Sequence, residues 1–507
     1  MIPEYVVVQA GGKGTRLGYL TANKPKCLVP VENLPMLFHL FRKYPDSKFI
    51  VIGDYRYDVI ERYLTAFADD VQYQLICATG AHGTCAGMRK AFSLIPEKIP
   101  FLVIWSDLIL PEDMDLPEVP GCYIGLSKDF PCRWKYENQK FKEERSSEYG
   151  VAGMFVFEDS SMVKDVPEEG EFVRWLSEQP MTYAELPLYH TKEYGLLDEY
   201  EKIETAKCRP FNKIYTDGPY FVKEPIDAQG QSLAEREINW YQQLEGYHFK
   251  NIPSIVSYKP LKMELIKGRS VYEYTDLDRN EKYKILQEII NCLKSVHKLG
   301  HIPADKQSYD DAYVGKTFKR LEKVYDLVPF AHDPYIIING RRCRNVFFHR
   351  DEVERSVQQF MPKEFQLIHG DCTFSNIMLR DSDHVPILID PRGYFGFTEL
   401  YGDVAYDWAK LYYSLVGNYD QFNRKRFRLE ILDDQVHLNI VSNGWETLET
   451  EFLSLVSDEA APRQLHMLHA IIWLSLTTYA WEDYDSICGA FYNGNYYLEE
   501  ALNESVF

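Results

Sequence analysis

The feature that most constrains this chain is one loop and the two apolar runs that flank it. Leu367-Ile368 leads into His369-Gly370-Asp371, and Asn376 follows five residues after Asp371, ahead of a second apolar run, Ile377-Met378-Leu379. A short turn, Asp381-Ser382-Asp383, gives way to a β-type run over 385–389 that ends on Asp390. One carboxylate, one amide and a second carboxylate therefore lie on neighbouring loop and strand ends. Phosphoryl transfer from a nucleotide needs that set. Asp371 would take the hydroxyl proton, and Asn376 and Asp390 would hold magnesium on the phosphates. A polar loop between two core strands is the plainer account, but it does not call for these three residue types at these intervals.

A second loop makes a different demand. Tyr5-Val6-Val7-Val8-Gln9 is a short β-branched run, read as a buried strand, and it opens directly into Ala10-Gly11-Gly12-Lys13-Gly14-Thr15-Arg16-Leu17-Gly18. Glycines let the backbone turn sharply and approach a phosphate closely, with free N–H groups pointing at it. Lys13 and Arg16 add positive charge. A dinucleotide-binding loop would be followed by an acidic residue about twenty positions on. Here Lys24-Pro25-Lys26 stands downstream instead, which replaces ribose recognition with more phosphate recognition.

Residues 49–52, 73–77 and 101–105 read as further strands, with a helical pattern over 56–66. His82-Gly83-Thr84-Cys85-Ala86-Gly87 is a second glycine-containing loop, opening a helix that runs to about Leu94. Ser106-Asp107 closes the strand at 101–105. Ligands of open parallel sheets bind beyond the carboxyl ends of the strands, so Asp107 is placed to hold magnesium on a triphosphate. An N-cap or turn aspartate is the competing reading.

At 507 residues the chain is too long for a single core, and two or three domains are expected. A net charge of −20 with no Lys/Arg block argues against nucleic acid or an anionic membrane as partner. Any phosphate site must then be a local basic island. The chain shows no signal-peptide pattern and no run of about eighteen apolar residues, so neither secretion nor membrane insertion is expected. The ten cysteines are scattered without metal-ligand spacing, which fits free thiols in a reducing cytoplasm. Small-molecule substrates are the expected partners, and self-association into a homo-oligomer is left open.

Two resemblances cover nearly all of the chain. Gly-Gly-x-Gly-Thr-Arg-Leu followed by Lys-Pro-Lys-x-Leu-x-Pro is similar to the signature of sugar-1-phosphate nucleotidyltransferases. That resemblance implies a Rossmann-like α/β domain over 1–205. In it Gly11, Gly12, Lys13, Gly14, Thr15 and Gly83 bind the nucleotide, Arg16 and Lys26 act on the reacting phosphates, and Asp107 holds metal. The family's second acid aligns best with Glu193, in Glu193-Tyr194-Gly195-Leu196, with Asp198 as fallback. His-x-Asp-x4-Asn, with Ile-Asp further on, resembles the catalytic loop of the aminoglycoside phosphotransferase and choline kinase family. This implies a two-lobed, protein-kinase-like α+β domain over 206–507, its N-lobe at about 206–268 and its C-lobe at about 269–507.

A hairpin, 212–215 and 220–223, then puts Lys223 where such a fold places its phosphate-binding lysine. Glu237, on a helix over 232–244, is its expected partner. Met263-Glu264-Leu265-Ile266-Lys267-Gly268 resembles the hinge that meets adenine, through Glu264 and Ile266. An amphipathic helix is expected over 282–299.

Together the resemblances imply a bifunctional enzyme using Mg²⁺, ATP and a second nucleoside triphosphate (CTP, UTP or GTP). It would phosphorylate a small hydroxyl-bearing molecule, a sugar on the first reading. It would then transfer a nucleotidyl group to the phosphomonoester, giving an activated precursor for surface or capsular polysaccharide. The alternative is a choline-type amino-alcohol kinase joined to a CTP:phosphocholine-type cytidylyltransferase. It is kept open by acids and aromatics that alternate over 400–413 (Tyr401, Asp403, Tyr406, Asp407, Trp408, Tyr412, Tyr413) and recur at Trp445, Trp473, Tyr479, Trp481, Glu482, Asp483 and Tyr484. Such residues could enclose a quaternary ammonium, stack on sugar rings, or pack a core. A non-catalytic nucleotide sensor is the third reading. The presence of Lys13, Arg16, Lys26, Lys223, Asp371, Asn376 and Asp390 argues against it.

Overall fold

A computed structural model describes residues 2–200 and 212–504, apart from the side chains of Asp198, Glu199 and Gln229. The expected junction near residue 206, and the side chain of Asp198, lie outside the described residues. The chain divides into two units, 1–205 with 481–485, and 206–480 with 486–507. The segment 481–485 therefore groups with the first unit, where the sequence reading had carried it with the second.

The first unit is built on β1 (Tyr5–Gln9), β2 (Lys48–Gly53), β3 (Tyr73–Cys77), β4 (Phe101–Trp105), β5 (Tyr123–Ser127), β6 (Gly150–Phe157) and β7 (Ala184–Leu188). The central strands run in the order β3-β2-β1-β4, all parallel, and β6 adds antiparallel beside β4. Val6, Val7 and Val8 are fully buried. A β-branched run with no polar face suits a strand covered on both sides. One covering layer is a core that joins Val7, Ile50, Ile52 and Val103 to Phe92, Phe155 and Phe172. Helices α1 (Met36–Lys43), α2 (Tyr57–Phe67) and α3 (Met88–Ser93) alternate with the strands. Gln9 and Trp105 are register partners at the ends of β1 and β4. The chain order reverses between these strands, and in such sheets the crevice for ligands opens there.

The second unit begins with an antiparallel sheet. Its strands are β8 (Asn212–Asp217), β9 (Tyr220–Pro225), β10 (Ile255–Tyr258) and β11 (Leu261–Glu264), in the order β8-β9-β11-β10. The hairpin turn is tighter than the sequence suggests: Thr216 and Asp217 continue the strand and pair with Phe221 and Tyr220. Helix α4 (Ala228–Gly246) starts at Asp227, whose carboxylate accepts from the Gly230 amide at 2.6 Å, as an N-cap should. Helix α5 (Arg279–His297) opens with a capping box, Asp278 with Glu281. Beyond it lie α6 (Lys316–Val324), reached through a π-helical turn at Asp311–Gly315, and β12 (Glu364–Leu367), β13 (Ile377–Arg380) and β14 (Pro386–Leu388). Helices α7 (Val404–Leu415) and α8 (Pro462–Leu476) pack side by side. The loop between β12 and β13 carries His369 to Asn376, and β14 pairs antiparallel with β13, bringing Asp390 back beside it.

Trp408, Trp445 and Trp473 are at most 1% exposed, so these aromatics pack the core of the larger lobe. The cysteines among the described residues are free thiols, and no described helix is long and apolar enough to cross a membrane.

Candidate active sites

In the first unit the glycine-rich loop leaves β1 at the crevice. Gly14 adopts φ +67°, a left-handed conformation that favours glycine, and a Cβ there would press on Lys26 Cβ at 3.0 Å, so the turn that carries Thr15 and Arg16 suits glycine. Among the described residues the amides of Gly12, Lys13 and Gly14 have no hydrogen-bond acceptor, and a run of unused N–H groups is an anion cradle. Lys13 and Arg16 are exposed, with the Lys13 ammonium 5.3 Å from the Tyr55 ring.

Lys26 is 8% exposed and points at two acids. It pairs closely with Asp107 and lies 3.8 Å from Glu193. A Cβ placed on Gly195 would fall 2.6 Å from Glu193 Oε1 and 3.3 Å from Arg16 Nη2. Arg16, Lys26, Asp107 and Glu193 thus share one end of the sheet. Lys24, the first lysine of Lys-Pro-Lys, behaves differently. It is 1% exposed, held 3.1 Å from Asp483 and close against Asp485. Burial lowers its pKa, but the two aspartates more than reverse this and hold it well above an ordinary lysine. That ammonium is already neutralised, so it adds nothing to phosphate recognition.

Sequence reasoning missed Gln9. Its side-chain amide donates to Thr84 O at 2.9 Å and accepts from the Gly11 amide at 3.4 Å, tying the two glycine loops together. Gly83, in the second of them, has φ +90°, and a Cβ would meet Gly170 O at 2.2 Å. Only glycine fits there.

In the second unit, Lys223 on β9 donates to Glu237 on α4 and to Asp390 after β14, both at 2.7 Å. Burial lowers the Lys223 pKa, but the Asp390 and Glu237 carboxylates outweigh it and hold the ammonium charged. Burial pushes Glu237 up to about 7 against the pull of Lys223. Asp390 leaves its strand at φ +51°, a left-handed turn that aspartate tolerates better than most residues. Asn376 donates through Nδ2 to the Asp371 carbonyl at 2.8 Å and to its carboxylate at 3.1 Å. This turns the amide oxygen away from Asp371. Lys410, on α7, completes the group at 2.9 Å from Asp371 Oδ1.

The loop that carries Asp371 is braced from behind. His369 is fully buried, receives the Asp371 amide on Nδ1 at 3.2 Å and bridges from Nε2 to Ile389 O at 3.0 Å. These bonds fit the neutral tautomer protonated on Nε2, and burial lowers its pKa. Asp407, also fully buried, accepts from the amides of His369 at 2.8 Å and Gly370 at 2.7 Å. Its Oδ2 is 3.2 Å from His297 Nε2, and Glu459 lies 2.8 Å from His297 Nδ1. Burial alone would raise the Asp407 pKa, but His297 overrides it and the carboxylate stays ionised. Asp407 therefore clamps the loop and does not face an acceptor, as the acid–aromatic alternation had allowed.

At the hinge, Glu264 N bonds Ser254 O and Leu265 N bonds Pro219 O, both at 2.9 Å. Among the described residues the N–H and C=O of Ile266 are unused.

Comparison with known proteins gives the class of each domain. Residues 5–119 match the family model of nucleotidyl transferases, and residues 211–447 match that of the phosphotransferase enzyme family. A nucleotidyltransferase domain and a kinase-like phosphotransferase domain are both present in one chain.

Among curated proteins, the chain is 38% identical over 169 residues to the UTP–glucose-1-phosphate uridylyltransferase AglF of Haloferax volcanii, covering 32% of this chain and 65% of that protein. It is 34% identical over 111 residues to the catalytic subunit beta of mannose-1-phosphate guanylyltransferase of Drosophila pseudoobscura pseudoobscura, covering 20% and 29%. The chain thus spans less than two thirds of the length of these relatives. Among solved structures, HddC from Yersinia pseudotuberculosis is similar at 19% identity and a TM-score of 0.34, covering 39% of this chain and 97% of that one.

Proposed function

We propose that the protein is a bifunctional enzyme that phosphorylates a hydroxyl of a small sugar-like molecule with ATP and then activates the product with a second nucleoside triphosphate. The observation that carries this reading is the completeness of both constellations. Lys223, Glu237, Asp371, Asn376 and Asp390 stand together in one unit, and Arg16, Lys26, Asp107 and Glu193 in the other.

In the kinase site, Asp371 accepts the proton of the substrate hydroxyl. The hydroxyl oxygen forms a bond to the γ-phosphorus, the bond from that phosphorus to the β–γ bridging oxygen breaks, and ADP leaves. Lys223, fixed by Glu237, binds the α- and β-phosphates. Glu264 and Ile266 border the adenine. In the nucleotidyltransferase site, an oxygen of the phosphomonoester attacks the α-phosphorus of the triphosphate, and pyrophosphate leaves. The glycine amides, with Gly83 across the crevice, seat the nucleotide. Arg16 meets the phosphates as a planar fork and Lys26 as a point charge.

Both sites suit Mg²⁺. Asp107 and Glu193 converge on a single ammonium, and Asp390 lies beside the Lys223 cation with Asn376 in the same loop group. Hard oxygen donors in ones and twos, completed by phosphates, are what Mg²⁺ takes. When bound, the ion would offset the charge of the phosphate oxygens. Asp107 with Glu193, and Asn376 with Asp390, would hold it.

The names of the curated relatives, which act on glucose 1-phosphate and mannose 1-phosphate, support a sugar phosphate as the nucleotidyl acceptor. An activated sugar of this kind would feed surface or capsular glycan synthesis. The test is mass spectrometry of the full-length protein with ATP and a panel of sugars and amino alcohols, then each product with CTP, UTP, GTP or dTTP. A phosphomonoester followed by its nucleoside-diphosphate derivative is expected. Absence of both products from every combination contradicts the reading.

A further inference from the structure

In a protein whose net charge is −20, two cations, Lys410 and Arg392, stand beside Asp371, and two more, Lys316 and Arg320, gather next to Arg392. Lys410 begins the group, 2.9 Å from the Asp371 carboxylate. Arg392 lies next to the same loop. Its amide donates to His369 O at 2.9 Å, and its guanidinium donates to the hydroxyls of Tyr406 at 2.7 Å and Tyr394 at 3.0 Å. Arg320, one turn along α6 from Lys316, donates to Ser475 O at 2.6 Å and Ser475 Oγ at 3.0 Å. Lys316 opens α6 directly after the π-helical turn. Its backbone N–H donates to Asp311 O, but among the described residues its ammonium makes no hydrogen bond or ion pair.

The acids that face the group are Asp371, already shared by Lys410 and Asn376, and Asp311, on the turn before Lys316. Among the described residues no carboxylate lies within ion-pair distance of Lys316, Arg320 or Arg392. Burial, then Arg392, Arg320 and Lys410, push the Lys316 pKa well below that of an ordinary lysine, and Asp311 only partly opposes them.

Packing explains part of this array. Arg392 rests on two tyrosines and Arg320 on a helix-end carbonyl, so each has a structural partner. Lys316 has none, and its nearest charged neighbours are mostly of its own sign. Like charges drawn together out of water destabilise a fold, so an anion that settles among them is bound strongly. The array starts at the proposed proton acceptor. A molecule whose hydroxyl reaches Asp371 would therefore lay its remaining groups across it.

We propose that Lys316, Arg320, Arg392 and Lys410 bind an anionic group of the molecule that is phosphorylated. The acceptor is then a polyhydroxy compound bearing a phosphate or a carboxylate, not a neutral sugar or a quaternary-ammonium alcohol. The inference rests on the kinase reading and narrows its substrate class. It also disfavours the choline-type alternative, since a cationic acceptor would be repelled here.

The test uses the full-length protein with ATP and three acceptor classes: hexose 6-phosphates and uronic acids, neutral hexoses, and choline. Transfer is expected to the anionic class, and the two anionic arms separate phosphate from carboxylate recognition. Lys316→Met should raise the acceptor KM about 10–100-fold, the loss of one charge-assisted contact, and leave the ATP KM unchanged. Lys316→Arg should recover most of that loss. Lys316→Met should also melt no lower than the parent, because it removes an uncompensated cation, and this shows that the variant is folded.

Preferred transfer to neutral hexoses or choline, indifferent to Lys316→Met, overturns the inference and leaves the kinase reading standing. A rise in ATP KM in place of acceptor KM overturns it too, by assigning the array to the nucleotide. Failure of the protein to bind ATP at all, measured by calorimetry, overturns the kinase reading and the inference with it.

Discussion

The two proposed sites would hold nucleotide phosphates in an acidic protein by different means. The first relies on backbone. Unused amides of Gly12, Lys13 and Gly14 line a loop whose charged side chains, Lys13 and Arg16, remain exposed. The second relies on buried side chains. Lys223 is locked between Glu237 and Asp390, and the loop bearing Asp371 is clamped by Asp407, itself fixed by His297 and Glu459. A backbone cradle needs little behind it but steric room for glycine. A side-chain site needs a second layer, because each charge removed from water must be matched. Substitutions of the exposed side chains on the glycine-rich loop should therefore impair chemistry while sparing the fold, whereas at the buried charges of the second unit the two are entangled.

The largest effect is expected at Asp371. Asp371→Asn preserves shape and removes proton acceptance, a loss of about 10²–10⁴ in phosphorylation rate. Nucleotidyl transfer from a supplied phosphomonoester should be untouched, and separate assays of the two half-reactions check this. Near-parental phosphorylation would remove Asp371 from its assigned role.

Asp407→Ala sharpens the contrast. It strands His297 and leaves two loop amides without an acceptor, so the second unit should lose about 3–5 kcal/mol of stability. Urea denaturation measures this, and a shift below 1 kcal/mol would show that the clamp is dispensable.

Arg16→Ala should lower nucleotidyl turnover about 10²–10³-fold, because its donors act on charge that shifts as the α-phosphate is attacked. The melting temperature should hardly move, since Arg16 is exposed. A large thermal loss would erase the distinction between the two kinds of site.

The smallest effect concerns Asp420. Its carboxylate is buried and accepts from the Ser375 amide at 3.0 Å, and burial pushes its pKa from 3.8 up to about 6. A raised pKa means that proton uptake favours the folded state. This contribution is fully present below about pH 4 and is lost as pH rises through 6. Asp420→Asn keeps the acceptor for Ser375 and removes the titration. It should stabilise the second unit on the order of 2 kcal/mol at pH 7.5 and by progressively less toward pH 4. Urea midpoints at the two pH values check the sign.

Much of the fold was legible because its elements are local. The β-branched run at 5–9, the strands at 73–77 and 101–105, and the amphipathic pattern of α5, expected from 282 and found from Arg279, are local signals. Helical spacing, read within the kinase-like resemblance, also made Glu237 the partner to seek for Lys223. What was illegible lies in contacts between distant parts of the sequence. Gln9 reaches Thr84 across 75 residues, and Asp407 reaches His369 across 38. Lys410 on Asp371 is of the same kind. No local pattern distinguishes such a residue from a surface lysine or glutamine. Lys24 failed in the other direction: its place in a basic motif suggested phosphate, and only the fold shows the two aspartates that occupy it.

The central claim, two independent sites that act in order, is tested most directly by complementation. Asp371→Asn and Arg16→Ala proteins are each incubated with ATP, acceptor and the second triphosphate, alone and as a mixture, and products are read by mass spectrometry. Arg16→Ala alone should accumulate the phosphomonoester, Asp371→Asn alone should form product about 10²–10⁴-fold more slowly than the parent, and the mixture should form the nucleoside-diphosphate derivative. A mixture that stays inactive, or an Arg16→Ala protein that is folded yet makes no phosphomonoester, would contradict it.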